Sequence, residues 1–295
     1  MFGAFTKLYG LIVLIHFRLR SHQRKNKIQT LSCRIIGLIL VFIKVKNRIV
    51  KQVRIGTSNI VIPGNKQSFP SPFHLKSRLH YYSTLFNSVE LNSTFYKIPM
   101  RSTFQKWSMD VPDDFQFTIK LTKEITHIKN LAYDLGLIEK FISAARGTGA
   151  KKGCLLIQFP GKITFGYFEQ VEMILHKLAE ADAGNEWKRA VEFRHPSWYI
   201  GEAYELLDEY NTSMVLHDIF KAKSIDLNKK ARFVYLRFHG PEGDYRGTYA
   251  NDFLQQKAIQ VRNWVQQGKE VYAYFNNTMG DAYNNAVQLK RLLEL

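Results

Sequence analysis

The chain is expected to be an α/β protein of the TIM-type (β/α)8 class, its parallel strands closing a barrel whose mouth lies at their C-terminal ends. Three observations lead there. Eight short strand-like runs recur along the chain; segments with helical spacing separate almost all of them; and polar residues keep to one parity of the strands and gather toward their C-terminal ends.

The strand runs are 53–58 (VRIGTS), 88–92 (SVELN), 115–121 (FQFTIKL), 154–159 (CLLIQF), 190–194 (AVEFR), 213–218 (SMVLHD), 232–240 (RFVYLRFHG) and 270–277 (EVYAYFNN). Helical spacing and helix formers fill 74–86, 102–109, 134–146, 165–180, 199–210, 251–267 and 280–294. The link after the sixth strand, 219–230, is short and weakly patterned. Pro112, Pro160, Pro196 and Gly240 fall at the ends of units and interrupt none. The unit repeats about every 30 residues, the size of a strand plus a helix, and eight strands suit barrel closure. An open doubly wound sheet is the alternative. Against it, IGTSNIVIPGNKQSFP after the first strand carries no glycine-rich dinucleotide turn.

With 295 residues, 45% hydrophobic and 14% aromatic, the chain is long and apolar enough for a sizeable core, which excludes disordered and fibrous classes. The net charge of +17 points first to nucleic acid, but its distribution weakens that reading. Residues 1–50 hold ten Lys and Arg and no acid; from Glu90 onward there are 27 basic and 25 acidic residues. The excess therefore belongs mainly to an N-terminal extension, 1–50, expected to lie outside a single domain spanning 51–295. Its apolar runs, Leu8–Phe17 and Ile35–Ile43, are shorter than the ~18–20 residues of a membrane span. Three readings of it stand: a leader from an upstream start codon, favoured by its length and flanks; a membrane-surface or targeting segment; and a structural part of the fold. Two cysteines, Cys33 and Cys154, exclude a disulfide framework and a cysteine-rich zinc site, and a cytoplasmic protein is the simplest expectation.

Alternation along each strand separates two faces. Val89/Leu91, Phe117/Ile119, Leu155/Ile157/Phe159, Val191/Phe193, Val234/Leu236/Phe238 and Val271/Ala273/Phe275 form an apolar face that would meet the helices. The opposite parity carries Glu90/Asn92, Thr118/Lys120, Leu156/Gln158, Glu192/Arg194, Asp218, Arg237/His239 and Tyr272/Tyr274/Asn276. A buried polar network, with Glu90, Glu192 and Asp218 paired to Lys120, Arg194 and Arg237, is the competing account of any one of these residues. For the whole set a site is the better account, since so many ionisable groups would be a costly core.

Taken in order, RIGTS, SRLHYYSTLFNSVELNSTFYKIP, FQFTIKLTKEITH, LIQFP, VEFRHPSW, YLRFHG and YFNNTMGDAYNNA resemble the YecE-like family, domain of unknown function 72, from about Arg54 to the C-terminus. The resemblance implies a TIM-type barrel and no established activity. The chain departs from the family pattern after the first strand, where many members have a glycine–aromatic step and this sequence has SNIVIPGNKQSFP, and in its first fifty residues.

Glu90 and Glu192 are the candidate acid–base pair, with His239 as a proton shuttle. Barrel glycosidases of the commonest group resemble one another in carrying glutamates on strands four and seven; Gln158 and Arg237 stand there, which counts against a glycosidase. Glu90, His127, Glu192, Asp218 and His239 are metal-ligand types but lack close ligand spacing, so no metal is expected, and no cofactor follows from the sequence. Lys120, Arg194 and Arg237, aided by the amides of Asn92, Gln158, Asn276 and Asn277, suit an anionic group. Gly240, Gly243, Arg246 and Gly280 lie in loops after the seventh and eighth strands, where barrels commonly hold phosphate. Phe95, Tyr96, Trp198, Tyr245 and Tyr249 are placed near the mouth, to stack a ligand or pack the rim. The leading expectation is an enzyme, of hydrolase, lyase or isomerase type, acting by acid–base chemistry on a phosphorylated or otherwise anionic, sugar-like small molecule. Alternatives are a nucleic-acid-binding or processing protein resembling barrel-type apurinic endonucleases, and a barrel tethered to a membrane surface through residues 1–50.

Overall fold

The computed structural model describes Ile49 and residues 51–295. The expected extension, apart from Ile49, lies outside the described residues, and with it the two readings that rest on it, a basic arm tracking nucleic acid and a membrane-surface tether.

Eight strands, β1 (Val53–Thr57), β2 (Ser88–Leu91), β3 (Gln116–Lys120), β4 (Lys152–Phe159), β5 (Lys188–Phe193), β6 (Thr212–His217), β7 (Phe233–Phe238) and β8 (Glu270–Phe275), pair in the order β1-β8-β7-β6-β5-β4-β3-β2, every pair parallel. The seam between β1 and β2 closes through a parallel bridge of Ser58 with Glu90, and Asn59 N donates to Glu90 O at 2.7 Å. The chain is therefore a TIM-like α/β barrel, as the alternation of elements predicts. Gly56 permits the tight seam, for a Cβ there would lie 2.1 Å from Ser88 O.

The outer layer is α1 (Arg78–Leu85), α2 (Ser93–Tyr96), α3 (Arg101–Met109), α4 (Lys123–Thr126), α5 (Gly136–Ala145), α6 (Phe168–Ala181), α7 (Gly201–Glu209), α8 (Asn251–Gln266) and α9 (Ala282–Leu293). Apolar residues at helical spacing explain the longer ones. In α6, Val171, Ile174, Leu175 and Leu178 are buried; in α5, Ile138, Phe141, Ile142 and Ala145. The helix expected over 74–86 begins at Arg78, because the Ser77 hydroxyl accepts from His80 N and caps it, while Ser71–Phe73 forms a separate 3-10 turn. The single-turn helices α2 and α4 were not foreseen; one turn is too short to leave a periodic pattern.

The two parities divide as expected except on β6, where Val215 and His217, in register with Tyr235 and Arg237, take the inward parity and the expected Asp218 falls on the other. Phe117, Ile119, Ile157, Val191, Val234 and Val271 are fully buried beneath the helices. Inside the barrel, Cys154, Leu156, Ala190, Val215, Phe233, Tyr235, Tyr272 and Tyr274 form one packed cluster. The tyrosine hydroxyls in it find partners, as burial requires: Tyr274 pairs with Ser88 Oγ at 2.6 Å and Thr118 Oγ1 at 2.7 Å, and Tyr272 donates to Gln116 Oε1 at 2.7 Å. This plug fills the axis below the polar layer. No described helix is long and apolar enough to cross a membrane.

Candidate active site

Above the plug, the inward parity of β2, β5 and β7 places Glu90, Glu192 and Arg237 on one level. Arg237 donates from Nε to Glu90 Oε2 at 2.9 Å, from Nη2 to Glu90 Oε1 at 2.7 Å, and from Nη1 to Glu192 Oε2 at 2.7 Å. Ser58 Oγ and the Tyr235 hydroxyl also donate to Glu90, at 2.6 and 2.5 Å, and Arg194 Nε donates to Glu192 Oε1 at 2.8 Å. Both carboxylate side chains are fully buried. Burial alone pushes the Glu90 carboxyl up, but the charge and hydrogen bonds of Arg237, with those of Ser58 and Tyr235, outweigh it and hold Glu90 below its ordinary range. Glu192 is held well below, burial being overcome by Arg237 and Arg194.

Two cations flank this core. Arg194 keeps 23% of its side chain exposed; its Nη1 donates to the Tyr245 hydroxyl at 2.6 Å. Lys120 is 8% exposed, donates to Gln158 Oε1 at 2.8 Å and stands 4.0 Å from the centre of the Phe95 ring. Among the described residues no carboxylate lies within ion-pair distance of Lys120. Burial, reinforced by the charge of Arg237, lowers it from 10.5 to about 7.

His239 is fully buried. Its Nε2 lies 3.3 Å from Arg237 Nη1, which places the ring proton on Nδ1, and Nδ1 faces Asp218 Oδ1 at 3.4 Å without forming a hydrogen bond. Burial lowers His239 to about 4. Asp218 accepts instead from His239 N at 2.8 Å and from the Tyr249 hydroxyl, which itself accepts from Gly240 N at 2.7 Å.

Seven of the residues foreseen from the sequence thus come together: Glu90, Lys120, Gln158, Glu192, Arg194, Arg237 and His239. Asp218 and Tyr249 stand behind them as supports. Others lie apart. Trp198 is fully buried, stacked 4.0 Å from Phe193 with its indole N–H on Ile163 O, so the aromatic packs the barrel wall and offers a ligand nothing. Asn277 Nδ2 ties Gly247 O to Asn285 Oδ1, a loop clasp. Asn276 is 7% exposed, and Asn92 keeps a buried Oδ1 without a hydrogen bond. Tyr96 is exposed at the rim near Lys123. His127 bonds Thr126 Oγ1 at 2.8 Å and meets the Phe95 ring; burial, then Lys120, lowers it to about 4.

The expected phosphate loops are corrected by their hydrogen bonds. Gly240 N donates to Tyr249, Gly243 N to Gly240 O, Arg246 N to Asp244 and Gly280 N to Asn277 O, so these amides hold their own loops together. The glycines serve turn geometry, with φ of 107° at Gly240 and 70° at Gly243. Ser58 and Tyr235 were missed as partners of Glu90; Tyr235 shares the parity of Arg237, a signal present in YLRF. Among the described residues no three His, Cys, Asp or Glu side chains gather as a metal site.

The family described as Protein of unknown function DUF72 matches residues 54–295. UPF0759 protein YunF of Bacillus subtilis (strain 168) is 25% identical over 267 residues, which cover 77% of this chain and 90% of that one. UPF0759 protein YecE of Escherichia coli (strain K12) is 30% identical over 131 residues, 44% of this chain and 46% of its own length. The crystal structure of a DUF72 family protein from Thermotoga maritima MSB8 superposes with a TM-score of 0.63 at 27% identity, covering 83% of this chain and all of that one. Another from Enterococcus faecalis V583 gives 0.67 at 23% identity over 82% and 96% of the two chains, a likeness of fold. The barrel that carries the polar layer is thus the matched region almost from end to end, and the chain belongs to the DUF72 family, a homologue of the UPF0759 proteins YecE and YunF.

Proposed function

We propose that the barrel mouth is an enzyme site for a small anionic molecule, a phosphate ester or carboxylate of sugar-like size. In this reading Arg194 recognises the anion and Lys120 exchanges the proton. One observation carries it: two guanidiniums and two carboxylates balance in the core, and Lys120 is a surplus cation beside them. Lys120 makes one side-chain hydrogen bond, leaving two of its three N–H donors open. Arg194 engages Nε and Nη1, leaving Nη2 for a ligand. An anion arriving here finds unpaired donors in a poorly hydrated setting, where such contacts are strongest.

The proton-transfer role passes to Lys120 because the other candidates are poorly poised. Glu90 and Glu192 are held as carboxylates and are weak bases, and His239 is held uncharged with Nε2 against Arg237. Lys120, lowered to about 7, is matched to neutral pH. Glu90, Glu192 and Arg237 then supply a fixed field, with Glu192 anchoring Arg194.

Titration calorimetry on the full chain with inorganic phosphate, glycerol 3-phosphate and small hydroxycarboxylates tests this. We expect binding of at least one probe, weakened tenfold or more by Arg194→Ala, a rim substitution that leaves Glu192 paired to Arg237. No binding by any probe, or the same affinity in Arg194→Ala, would overturn the reading.

A further inference from the structure

Seven of the eight described strands are followed by a helix of eight residues or more. After β6 the chain makes only a 3-10 turn, Phe220–Ala222, before reaching β7. The outward side chains of Leu216 and Leu236 therefore lack the helix that would cover them. A cavity of about 320 Å³ stands there, between these strands, the β6–β7 connection and α8. It opens on the outer wall of the barrel, with His217, Asp218 and Arg237 also bordering it, and its volume is at the lower end of the roughly 300–1,000 Å³ typical of small-molecule sites.

Its lining is two-sided. Leu216, Leu236 and Trp264 give an apolar wall, and Lys223 and Lys257 give two ammonium groups. Among the described residues neither lysine has a carboxylate within ion-pair distance. Lys257 donates to Gln260 Oε1 at 3.0 Å, and burial, then the charge of Lys223, lowers its proton affinity. The one carboxylate in the lining, Asp218, already accepts from His239 N and the Tyr249 hydroxyl. Ser224 is 4% exposed, and its Oγ, beside the Tyr199 hydroxyl, has no hydrogen-bond partner within normal distance and angle. A buried hydroxyl left open on a cavity wall carries a cost that a ligand acceptor would remove.

From this geometry we infer a second ligand site, for a small amphipathic anion: its apolar body lies against Leu216, Leu236 and Trp264, and its carboxylate or phosphate head meets Lys223, Lys257 and Ser224 Oγ. The inference does not rest on the function proposed for the mouth. An anion there also relieves the repulsion between two lysines that the single carboxylate of Asp218 offsets only in part.

The test is calorimetric titration of the full chain with octanoate, its uncharged analogue octanamide and inorganic phosphate. Octanoate is expected to bind, with octanamide and phosphate each at least tenfold weaker, since each lacks one half of the recognition. Lys257→Met and Lys223→Met, both at solvent-reaching positions, should each weaken octanoate tenfold or more, whereas Arg194→Ala at the mouth should leave it unchanged. Octanoate binding that is absent, indifferent to Lys257→Met, or lost in Arg194→Ala would overturn the inference. The last outcome would assign the anion to the mouth, and the first two leave the reading of the mouth untouched.

Discussion

Arg237 grips Glu90 through Nε and Nη2 and reaches Glu192 through Nη1, so one guanidinium on β7 neutralises carboxylates from two other strands. All three side chains are removed from water. A network of this kind holds three strands at one level of the barrel, and its components are interdependent.

Arg237→Met should therefore act on the fold before it acts on any ligand. It strands the buried Glu90 carboxylate and leaves Glu192 with Arg194 alone, and should cost about 3–5 kcal/mol of stability. Urea denaturation at neutral pH, followed by far-ultraviolet circular dichroism, measures this. A loss below about 1 kcal/mol would mean that the network relaxes or hydrates once its centre is removed.

Lys120 sets a pH dependence whose sign is fixed by its environment. Its folded value of about 7 lies below the 10.5 it regains on unfolding. Between those values the unfolded chain binds the extra proton, so this residue's contribution to stability rises with pH across the window, at up to about 1.4 kcal/mol per unit. It is complete above 10.5 and lost as pH falls to 7. Comparing the wild type with Lys120→Met by urea denaturation at pH 7 and pH 9.5 isolates the contribution, because the variant should lack this rise.

His239 and His127 work in the acid range. Both are lowered from 6.5 to about 4 by burial, so stability from keeping them neutral is present above 6.5 and lost as pH falls toward 4. Imidazole proton resonances followed by NMR should show His239 and His127 both still uncharged at pH 5.5. Titration of both near 6.5 would refute the expectation.

Gly56→Ala tests the seam. The new methyl group would lie 2.1 Å from Ser88 O and 2.7 Å from the Tyr82 hydroxyl, inside backbone that cannot give way cheaply. A loss of about 1–3 kcal/mol is expected from overpacking, read as a lowered urea midpoint. An unchanged midpoint would show the seam to be slack.

The barrel was legible because alternation survives in single strands. VELN, QFTIK, VEFR and YLRF each show which residues face inward, and those residues form the polar layer. What the strands did not carry was the pairing. In the sequence Arg237 reads equally as an anion ligand or as a partner of a buried carboxylate, and only the arrangement of β7, β5 and β2 turns it onto Glu90 and Glu192. Trp198 misled because a residue soon after a strand end can face either the mouth or the wall, and its stacking on Phe193 is a tertiary fact. The glycine loops misled likewise, since their amides are claimed by partners such as Tyr249 that no local pattern announces.

The tyrosine plug gives the barrel a closed floor. Tyr235, Tyr272 and Tyr274 occupy the axis with their hydroxyls held, so the barrel is packed shut below the polar layer. On the function proposed above, a ligand would therefore reach Lys120, and leave it, only from the C-terminal ends of the strands.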